Sequence, residues 1–156
     1  MEKKVIIITG ASSGIGYQTA EMLARQGHKV YGAARRIEKM EPLRAVGVTP
    51  LRMDVTDEGS VSEAVSVVAD AEGRIDALIN NAGYGSYGAI EDVSMEEARK
   101  QFDVNLFGLA MLTKRVLPYM HKQGSGTIVN VSSMGGRVTT YFGAWYHATK
   151  YALEAF

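Results

Sequence analysis

A tyrosine, a lysine and a serine near the carboxyl end of the chain are spaced as a proton-transfer site requires. Lys150 follows Tyr146 by four residues, so on a helix the two side chains lie on one face, one turn apart. Tyrosine is a weak acid with a pKa near ~10, and a neighbouring ammonium group favours the phenolate and lowers that pKa. Ser133 precedes Tyr146 by thirteen residues, and its hydroxyl could hold a substrate oxygen while the proton moves. Taken alone, the pattern also fits a surface lysine beside a core tyrosine.

The amino-terminal segment carries a glycine-rich turn between an apolar run and a helix-forming run. Val5–Ile8 is wholly apolar and β-branched, which is typical of a buried parallel strand. Three glycines follow with the spacing Gly-x3-Gly-x-Gly. A strand, such a turn and a helix amino terminus together bind pyrophosphate, because backbone N–H groups and the helix dipole face the anion. A glycine-rich loop without a ligand is the alternative. The residues that we predict to contact a dinucleotide here are Gly10, Ser12, Ser13, Gly14, Ile15 and Gly16.

The residues after the second apolar run discriminate between the two nicotinamide dinucleotides. A site for NAD carries Asp or Glu about 20 residues after the glycines, where the carboxylate binds the ribose 2′-hydroxyl. This chain has Arg35 and Arg36 at that point. No carboxylate there repels a 2′-phosphate, and two guanidinium groups are available to bind it. The pattern therefore predicts a preference for NADP(H) over NAD(H), with two solvated arginines as the alternative.

Further motifs follow in order along the chain, namely Asn80-Asn81-Ala82-Gly83, Val104-Asn105, Ser133 and the Tyr146/Lys150 pair. With the glycine turn, these motifs make the chain resemble the short-chain dehydrogenase/reductase family from Val5 to Phe156. The resemblance implies an oxidoreductase that interconverts a carbonyl group and a secondary alcohol with NADP(H).

The resemblance also implies a role for each matching residue. Tyr146 would be the general acid/base, and Lys150 would lower its pKa and bind the nicotinamide ribose. Ser133 would bind the substrate oxygen, with Ser132 as the substitute if the loop shifts by one residue. Asn105 would support a water molecule of the proton relay, although without the other motifs a helix bend would explain it better. The remaining implied cofactor-binding residues are Asp54, Val55, Asn81, Ala82 and Gly83, together with Tyr146 and Lys150 themselves.

Apolar runs alternate with helical patterns along the chain, which predicts an α/β fold with a parallel sheet between two layers of helices. A doubly wound Rossmann-like fold has two halves, and after three strands only two remain for the second half. We therefore expect one NAD(P)-binding domain over residues 1–156, truncated so that the C-terminal strands and the substrate lid implied by the resemblance are missing. The predicted strands are Val5–Thr9, Val30–Ala33, Pro50–Met53, Ala77–Asn80 and Thr127–Ser132, and the predicted helices are Ile15–Gln26, Ser60–Ala71 and Met95–His121.

Composition narrows the range of partners. Lys and Arg together number 17, as do Asp and Glu, so the charge balance favours neither nucleic acid nor an anionic membrane. The absence of cysteine excludes disulfides and thiolate metal sites, and the three histidines have no metal-ligand spacing. We expect His147 to face outward, because neighbouring helical residues point about 100° apart. No apolar run has the length of a signal peptide or a membrane span, which fits a cytoplasmic enzyme.

Large side chains near the predicted site favour an apolar or ring-bearing ketone or alcohol as substrate, although core packing would explain some of them equally well. The resemblance implies a homodimer or homotetramer of the full-length protein through the long helix and the tyrosine-bearing helix. Two alternatives to the enzyme stay open, a nucleotide sensor without turnover and an inactive fragment. The large side chains are Tyr84, Tyr87, Met134, Tyr141, Phe142 and Trp145.

Overall fold

The computed structural model describes residues 2–156 and has a five-stranded sheet with helices on both faces. The strand order is β3-β2-β1-β4-β5, and every neighbouring pair is parallel. This arrangement is the Rossmann-like α/β fold that the alternation of strands and helices predicts. In chain order the strands and α-helices are β1 (Val5–Thr9), α1 (Gly14–Arg25), β2 (Lys29–Ala34), β3 (Val48–Arg52), α2 (Glu58–Glu72), β4 (Ala77–Asn80), α3 (Met95–Phe102), α4 (Leu109–Gln123), β5 (Thr127–Asn130) and α5 (Ala144–Ala155).

Strand β1 lies at the centre of the sheet because its side chains are apolar on both faces. Ile7 and Ile8 are fully buried, and neighbouring strand residues point to opposite faces. Ile7 belongs to the core that includes Val65 of α2 and Leu112 of α4. Ile8 belongs to the core on the other face, with Met40 of a 3₁₀ segment that follows β2. The sheet therefore separates two cores, and its carboxyl edge is held rigidly between them.

The amino ends of β1 and β4 are joined by a buried aspartate. The Asp76 carboxylate accepts a hydrogen bond of 2.7 Å from the backbone N–H of Val5, 71 residues away in sequence. It also accepts one of 2.9 Å from Arg74 Nε. Burial acts to raise the pKa of Asp76, but these hydrogen bonds and the Arg74 charge outweigh it and hold the pKa below its usual value. This contact fixes the edge of the sheet opposite the predicted site.

The long helix predicted over Met95–His121 is divided in the structure. A π-helical segment, Asp103–Gly108, separates α3 from α4, and α4 continues to Gln123. Gly108 gives a physical reason, since a Cβ at this position would lie 2.6 Å from the carbonyl oxygen of Val55. The helix thus passes very close to the loop after β3, and the wider turn accommodates that approach. Hydrophobic periodicity alone does not reveal such a segment.

The other boundaries differ from the predictions by small amounts. Helix α2 begins two residues before the predicted Ser60, because Asp57 caps it by accepting a 2.6 Å hydrogen bond from the backbone N–H of Ser60. Strand β5 ends at Asn130 rather than Ser132. The 3₁₀ segment Ile37–Val46 was not predicted. Across residues 2–156, no helix combines the length and the apolar character needed to cross a membrane.

Candidate active site

A cleft of about 570 Å³ lies along the carboxyl edge of the sheet. Ligands of open α/β sheets bind at this edge, outside the ends of the strands. Most of the residues predicted for the site line this one cleft. Predicted residues lining it are Ser132, the substitute serine, and Gly10, Ser12, Ser13, Ile15, Arg35, Arg36, Asp54, Val55, Asn81, Ala82, Gly83, Tyr146 and Lys150.

The turn after β1 is shaped by glycines with different roles. Gly10 has a left-handed backbone (φ +68°), which a residue with a side chain rarely adopts. A Cβ on Gly16 would lie 2.5 Å from the carbonyl oxygen of Gly10, so Gly16 lets the first turn of α1 pack against the loop. The structure thus shows a packing role for Gly16, and its predicted role in the approach of a pyrophosphate stays a prediction. Gly14 and Gly16 do not line the cleft.

The amino terminus of α1 keeps its backbone N–H groups free of any side-chain cap. Ser13 occupies the N-cap position and makes no capping hydrogen bond. The first N–H groups of a helix have no partner within the helix and carry the positive end of its dipole. Ser12 and Ser13 line the cleft beside them. The cleft therefore has a site for an anion at this end.

Two cationic side chains and one carboxylate follow β2 and β3. Arg35 and Arg36 are exposed and line the cleft just after the last residue of β2. Asp54 accepts hydrogen bonds from the backbone N–H of Thr56 at 3.0 Å and from its hydroxyl at 2.8 Å. Burial acts to raise the pKa of Asp54, but the Thr56 hydrogen bonds and the Arg35 charge outweigh it, so this pKa lies below its usual value. The carboxylate is therefore ionised and already partnered.

The segment after β4 is fixed to the end of β1 by a threonine that sequence reasoning missed. The Thr9 hydroxyl accepts hydrogen bonds from the backbone N–H groups of Asn81 at 3.0 Å and Ala82 at 2.9 Å. The Asn81 side chain donates in return to the Thr9 carbonyl at 3.0 Å. A buried threonine at the end of a strand is usually explained by the preference of threonine for β-structure, so no sequence motif indicated this role.

Tyr146 and Lys150 lie on α5, as their spacing predicts, and both face the cleft. Lys150 is only 6% exposed, and its Nζ donates a 3.0 Å hydrogen bond to the carbonyl of Val131. Nζ lies 6.0 Å from the centre of the Tyr146 ring. Burial lowers the pKa of Lys150. The carbonyl of Val131 therefore holds the ammonium group of Lys150 in place near the Tyr146 ring.

Asn105 lies in the π-helical segment and does not line the cleft, because it is buried behind Gly83. Its Oδ1 accepts a 3.0 Å hydrogen bond from the backbone N–H of Tyr84. Its Nδ2 donates to the carbonyl of Tyr84 at 2.8 Å and to the Thr149 hydroxyl at 3.0 Å. The side chain therefore joins the segment after β4 to α5, one residue before Lys150.

The two candidate serines differ in their surroundings. Ser132 lines the cleft, whereas Ser133 does not. The Ser133 hydroxyl accepts a 3.0 Å hydrogen bond from the backbone N–H of Gly135, which caps a short 3₁₀ turn. This bond uses the oxygen as an acceptor and leaves the hydroxyl proton available to donate. Which serine binds the substrate oxygen therefore stays a prediction.

The prediction that His147 faces outward is wrong. The side chain is buried, with 5% exposure. It lies against Gly135 and Thr140, in the segment that connects Ser133 to α5. The 100° offset between neighbours directs the imidazole toward this packed segment instead of solvent, and its ring still lies 5.9 Å from the ring of Tyr146.

Several residues of the cleft were not predicted. Val104 and Lys100 line it from the helical side, one residue and five residues before Asn105. Of the six large side chains expected at the mouth, Tyr84 lines the cleft, and Trp145 is half-buried. The other four are exposed, with Tyr141 at 92% and Met134 at 85%. Other cleft residues that were not predicted to bind the cofactor are Ala33, Ala34, Met53, Gly85 and Val131.

Comparison with known proteins identifies the family to which the chain belongs. The family described as short chain dehydrogenase matches residues 4–156, and the chain belongs to this family of oxidoreductases. The chain is 45% identical to the 3-ketodihydrosphingosine reductase of Bacteroides thetaiotaomicron over 157 residues, covering 100% of this chain and 56% of that protein. It therefore spans about half the length of such a relative.

Solved structures agree with this assignment. A short-chain dehydrogenase from Streptomyces avermitilis superposes with a TM-score of 0.95 at 40% identity, covering 99% of this chain and 58% of that one. A variant of actinorhodin polyketide ketoreductase, solved with NADPH, superposes with a TM-score of 0.93 at 33% identity, covering 99% of this chain and 62% of that one.

The cleft fits the nicotinamide dinucleotide that the family binds. Its uncapped helix terminus suits the pyrophosphate, because the free N–H groups of α1 need an anionic or polar partner. The buried ammonium of Lys150 lies at the other end of the cleft and suits the hydroxyl groups of a ribose. Polar groups thus stand at both ends.

Proposed function

We propose that the protein interconverts a carbonyl compound and a secondary alcohol with NADP(H). The observation that carries this proposal is that Tyr146 and Lys150 line the same cleft as the Gly10 turn and Arg35. A proton donor and a dinucleotide site in one cleft are what carbonyl reduction requires. A relative named as the reductase of a keto compound, and a ketoreductase of the same fold solved with NADPH, support the proposal.

The proton transfer is assigned to side chains of this chain. A nicotinamide dinucleotide held in this cleft would supply the hydride for the carbonyl carbon. Tyr146 donates its phenolic proton to the carbonyl oxygen, and Ser133 donates a hydrogen bond to the same oxygen. Lys150 stabilises the resulting phenolate by its positive charge, since the carbonyl of Val131 holds its ammonium near the ring. Asn105 supports this geometry through Thr149.

The preference for NADP(H) over NAD(H) is part of the proposal. Arg35 and Arg36 line the cleft and are free to bind a 2′-phosphate by charge-assisted hydrogen bonds. Asp54 is the carboxylate after the next strand, and it accepts two hydrogen bonds from Thr56. Asp54 interacts with Arg35 through charge and makes these hydrogen bonds to Thr56, so the guanidinium N–H groups stay available to the cofactor.

We also propose an apolar ketone or alcohol as substrate. Tyr87 and Phe142 are more than half exposed beside Tyr146 and its loop. Exposed apolar side chains near a reacting group provide a binding surface for an apolar substrate.

Further expectations concern the whole protein. We propose a cytoplasmic homodimer or homotetramer that associates through α4 and α5. The apolar side chains of Phe107, beside α4, and Tyr151 of α5 are 57% and 45% exposed, which supports such an interface. Sedimentation of the intact protein measures the oligomeric state, and a monomer at every concentration would contradict it.

The deciding experiment follows NADPH consumption by the intact protein with a panel of aromatic and long-chain ketones. Tyr146→Phe removes the donated proton and should lower turnover about 10²- to 10⁴-fold, while the Kd for NADP+ stays within about twofold. Tyr151→Phe is the matched control, because this tyrosine is on the same helix but outside the cleft. Full activity of Tyr146→Phe would refute the mechanism. NADP+ binding without turnover of any ketone would favour a nucleotide sensor.

A further inference from the structure

His147 is a buried polar side chain that the proposed proton transfer does not use. It follows Tyr146 on α5 and packs against residues 134–143, which we call the connecting segment because it joins Ser133 to α5. Tyr87 lies edge-on to the imidazole ring at 6.3 Å and also packs on Tyr146 at 5.6 Å. The ring thus lies between the loop that carries the serine and the helix that carries the tyrosine.

The hydrogen bonds of His147 determine its protonation and tautomer. Nε2 lies 3.0 Å from the backbone N–H of Thr140, which can only donate, so Nε2 carries no proton. Nδ1 lies 3.0 Å from the carbonyl oxygen of Gly135, which can only accept, so Nδ1 carries the proton. The imidazole is therefore neutral, with its single proton on Nδ1.

The surroundings leave the ring no freedom to move. A Cβ at Gly135 would lie 2.7 Å from Nδ1, and one at Gly143 would lie 2.6 Å from Cδ2. Phe142 has a left-handed backbone (φ +62°) that is unusual for a bulky residue. Its carbonyl accepts a 2.8 Å hydrogen bond from the N–H of Gly88. Strain of this kind persists only where the surrounding contacts hold it.

Gly135 connects the ring directly to Ser133. The N–H of Gly135 donates to the Ser133 hydroxyl at 3.0 Å, while the carbonyl of Gly135 accepts from His147. One glycine is thus held by the serine on one side and by α5 on the other. The imidazole of His147 is therefore linked to the Ser133 hydroxyl through a single residue.

We propose that His147 is a positioning residue that sets the placement of Ser133 relative to Tyr146, the two groups that hold the substrate oxygen. This role rests on the proposed function. A misplacement of about 1 Å between reacting groups can lower a rate about 10²-fold. His147 is not itself in contact with substrate, so it acts on the rate of the chemical step and leaves cofactor binding unchanged.

Three variants of the intact protein test the role. His147→Ala removes the hydrogen bonds to the carbonyl of Gly135 and to the N–H and hydroxyl of Thr140. It should lower kcat about 10- to 100-fold, while KM for the ketone and Kd for NADP+ change less than about threefold. His147→Asn places an amide donor near the position of Nδ1 and can keep the bond to Gly135. His147→Gln places an amide oxygen near Nε2 and can keep the bond to Thr140. Since Gly135 is the link to Ser133, Asn should restore more of kcat than Gln.

A structural control separates positioning from simple loss of stability. Leu153→Val removes packing from the same helix at a buried residue outside the cleft, and it should lower the Tm without lowering kcat. A kcat that follows Tm across all four variants, or an equal kcat for Asn and Gln, would overturn the positioning role. A wild-type protein that is inert with every ketone would instead overturn the proposed function, and the positioning role with it.

A spectroscopic measurement is independent of turnover. Nitrogen-15 NMR of the imidazole at neutral pH should show a protonated Nδ1 and a bare Nε2, and the Nδ1 proton should exchange slowly with water. The opposite tautomer, or fast exchange of that proton, would overturn the hydrogen-bond arrangement on which the proposal depends.

Discussion

The two ends of the cleft are built in different ways. The glycine wall, residues 10–16, presents backbone N–H groups at an uncapped helix terminus, and its shape comes from the absence of side chains at Gly10 and Gly16. The tyrosine wall, residues 146–150, is held by buried side chains, among them Asn105 and His147. Because the glycine wall is formed by backbone atoms, we expect it to tolerate substitutions around it but not a side chain added at Gly10 or Gly16. A wall made of side-chain hydrogen bonds depends on each partner separately.

The helix termini of the molecule show the same contrast. Asp57 caps α2 and Ser94 caps α3, each by accepting a hydrogen bond from a backbone N–H of the first turn. Ser13, at the same position of α1, makes no such bond. A cap typically stabilises a helix by about 1 kcal/mol. Of these three helices, α1 lacks that bond, and its N-cap serine lines the cleft.

The largest expected effect concerns the side-chain network of the tyrosine wall. Asn105→Ala leaves two backbone groups of Tyr84 and the Thr149 hydroxyl without their partner. We expect a loss of about 2–4 kcal/mol in the free energy of unfolding, because buried polar groups without partners cost about 1–3 kcal/mol each. Urea denaturation followed by the fluorescence of Trp145, the single tryptophan, measures it.

A graded control sharpens that result. Thr149→Val keeps the volume of the side chain. It removes one of the three hydrogen bonds of Asn105, and also the bond that the Thr149 hydroxyl donates to the carbonyl of Tyr146. It should cost about 1–2 kcal/mol. If Asn105→Ala lowers the free energy of unfolding no more than Thr149→Val does, the three hydrogen bonds of Asn105 do not stabilise the tyrosine wall as described.

The next effect tests the glycine wall by adding one methyl group. Gly16→Ala brings a Cβ to 2.5 Å from the Gly10 carbonyl, and it should cost about 1–3 kcal/mol of stability. It should also weaken NADP+ binding at least about tenfold, because the turn must move.

Gly59 in α2 provides the matched control. A Cβ there meets only the Asp57 carboxylate at 3.3 Å, so Gly59→Ala should stabilise the helix by about 0.5–1 kcal/mol. The two substitutions should therefore have opposite signs in the same denaturation assay. A stabilising Gly16→Ala would show that the turn has more room than its geometry indicates.

A smaller effect concerns selectivity at the glycine end. The wild-type protein should bind NADP+ more tightly than NAD+ when the two Kd values are measured side by side. Replacing Arg35 and Arg36 together with alanine should raise the Kd for NADP+ about tenfold or more, since charge-assisted hydrogen bonds contribute about 1.5–3 kcal/mol, with little change for NAD+. Arg44→Ala, an exposed arginine outside the cleft and paired with Glu41, should change neither. Equal wild-type affinities would contradict the preference.

The smallest effect lies away from both walls, at Asp76. Its folded pKa lies below the unfolded value of 3.8, so the carboxylate contributes stability above pH 3.8 that is lost as the pH falls through the folded pKa. Asp76→Asn should cost about 1–2 kcal/mol at neutral pH and flatten the decline of stability in acid. NADP+ binding should stay unchanged, because Asp76 is at the opposite edge of the sheet. If the free energy of unfolding of Asp76→Asn fell as steeply in acid as that of the wild-type protein, this explanation would be wrong.

The difference between the walls also explains what the sequence could predict. The glycine turn, the existence of the five strands and the Tyr146/Lys150 face follow from local patterns, because backbone geometry and helical spacing are local. The contacts of Thr9 depend on residues far away in sequence, and those of His147 depend on a packed loop. Periodicity placed His147 correctly relative to Tyr146, but it carried no information about the segment that covers it. The π-helical segment was not predicted either, and its Gly108 packs closely against Val55 of a loop distant in sequence.

The bonds between β1 and the segment after β4 also bear on how the protein folds. Thr9 meets Asn81 and Ala82, and Val5 meets Asp76, across 71 to 73 residues of chain. Contacts this distant form late, because the entropy of closing a long loop must be overcome first. During synthesis the glycine turn therefore emerges from the ribosome long before the residues that lock it. Because Asn81 and Ala82 line the cleft, we expect a dinucleotide to bind and stabilise the nascent domain only after the fourth strand has docked.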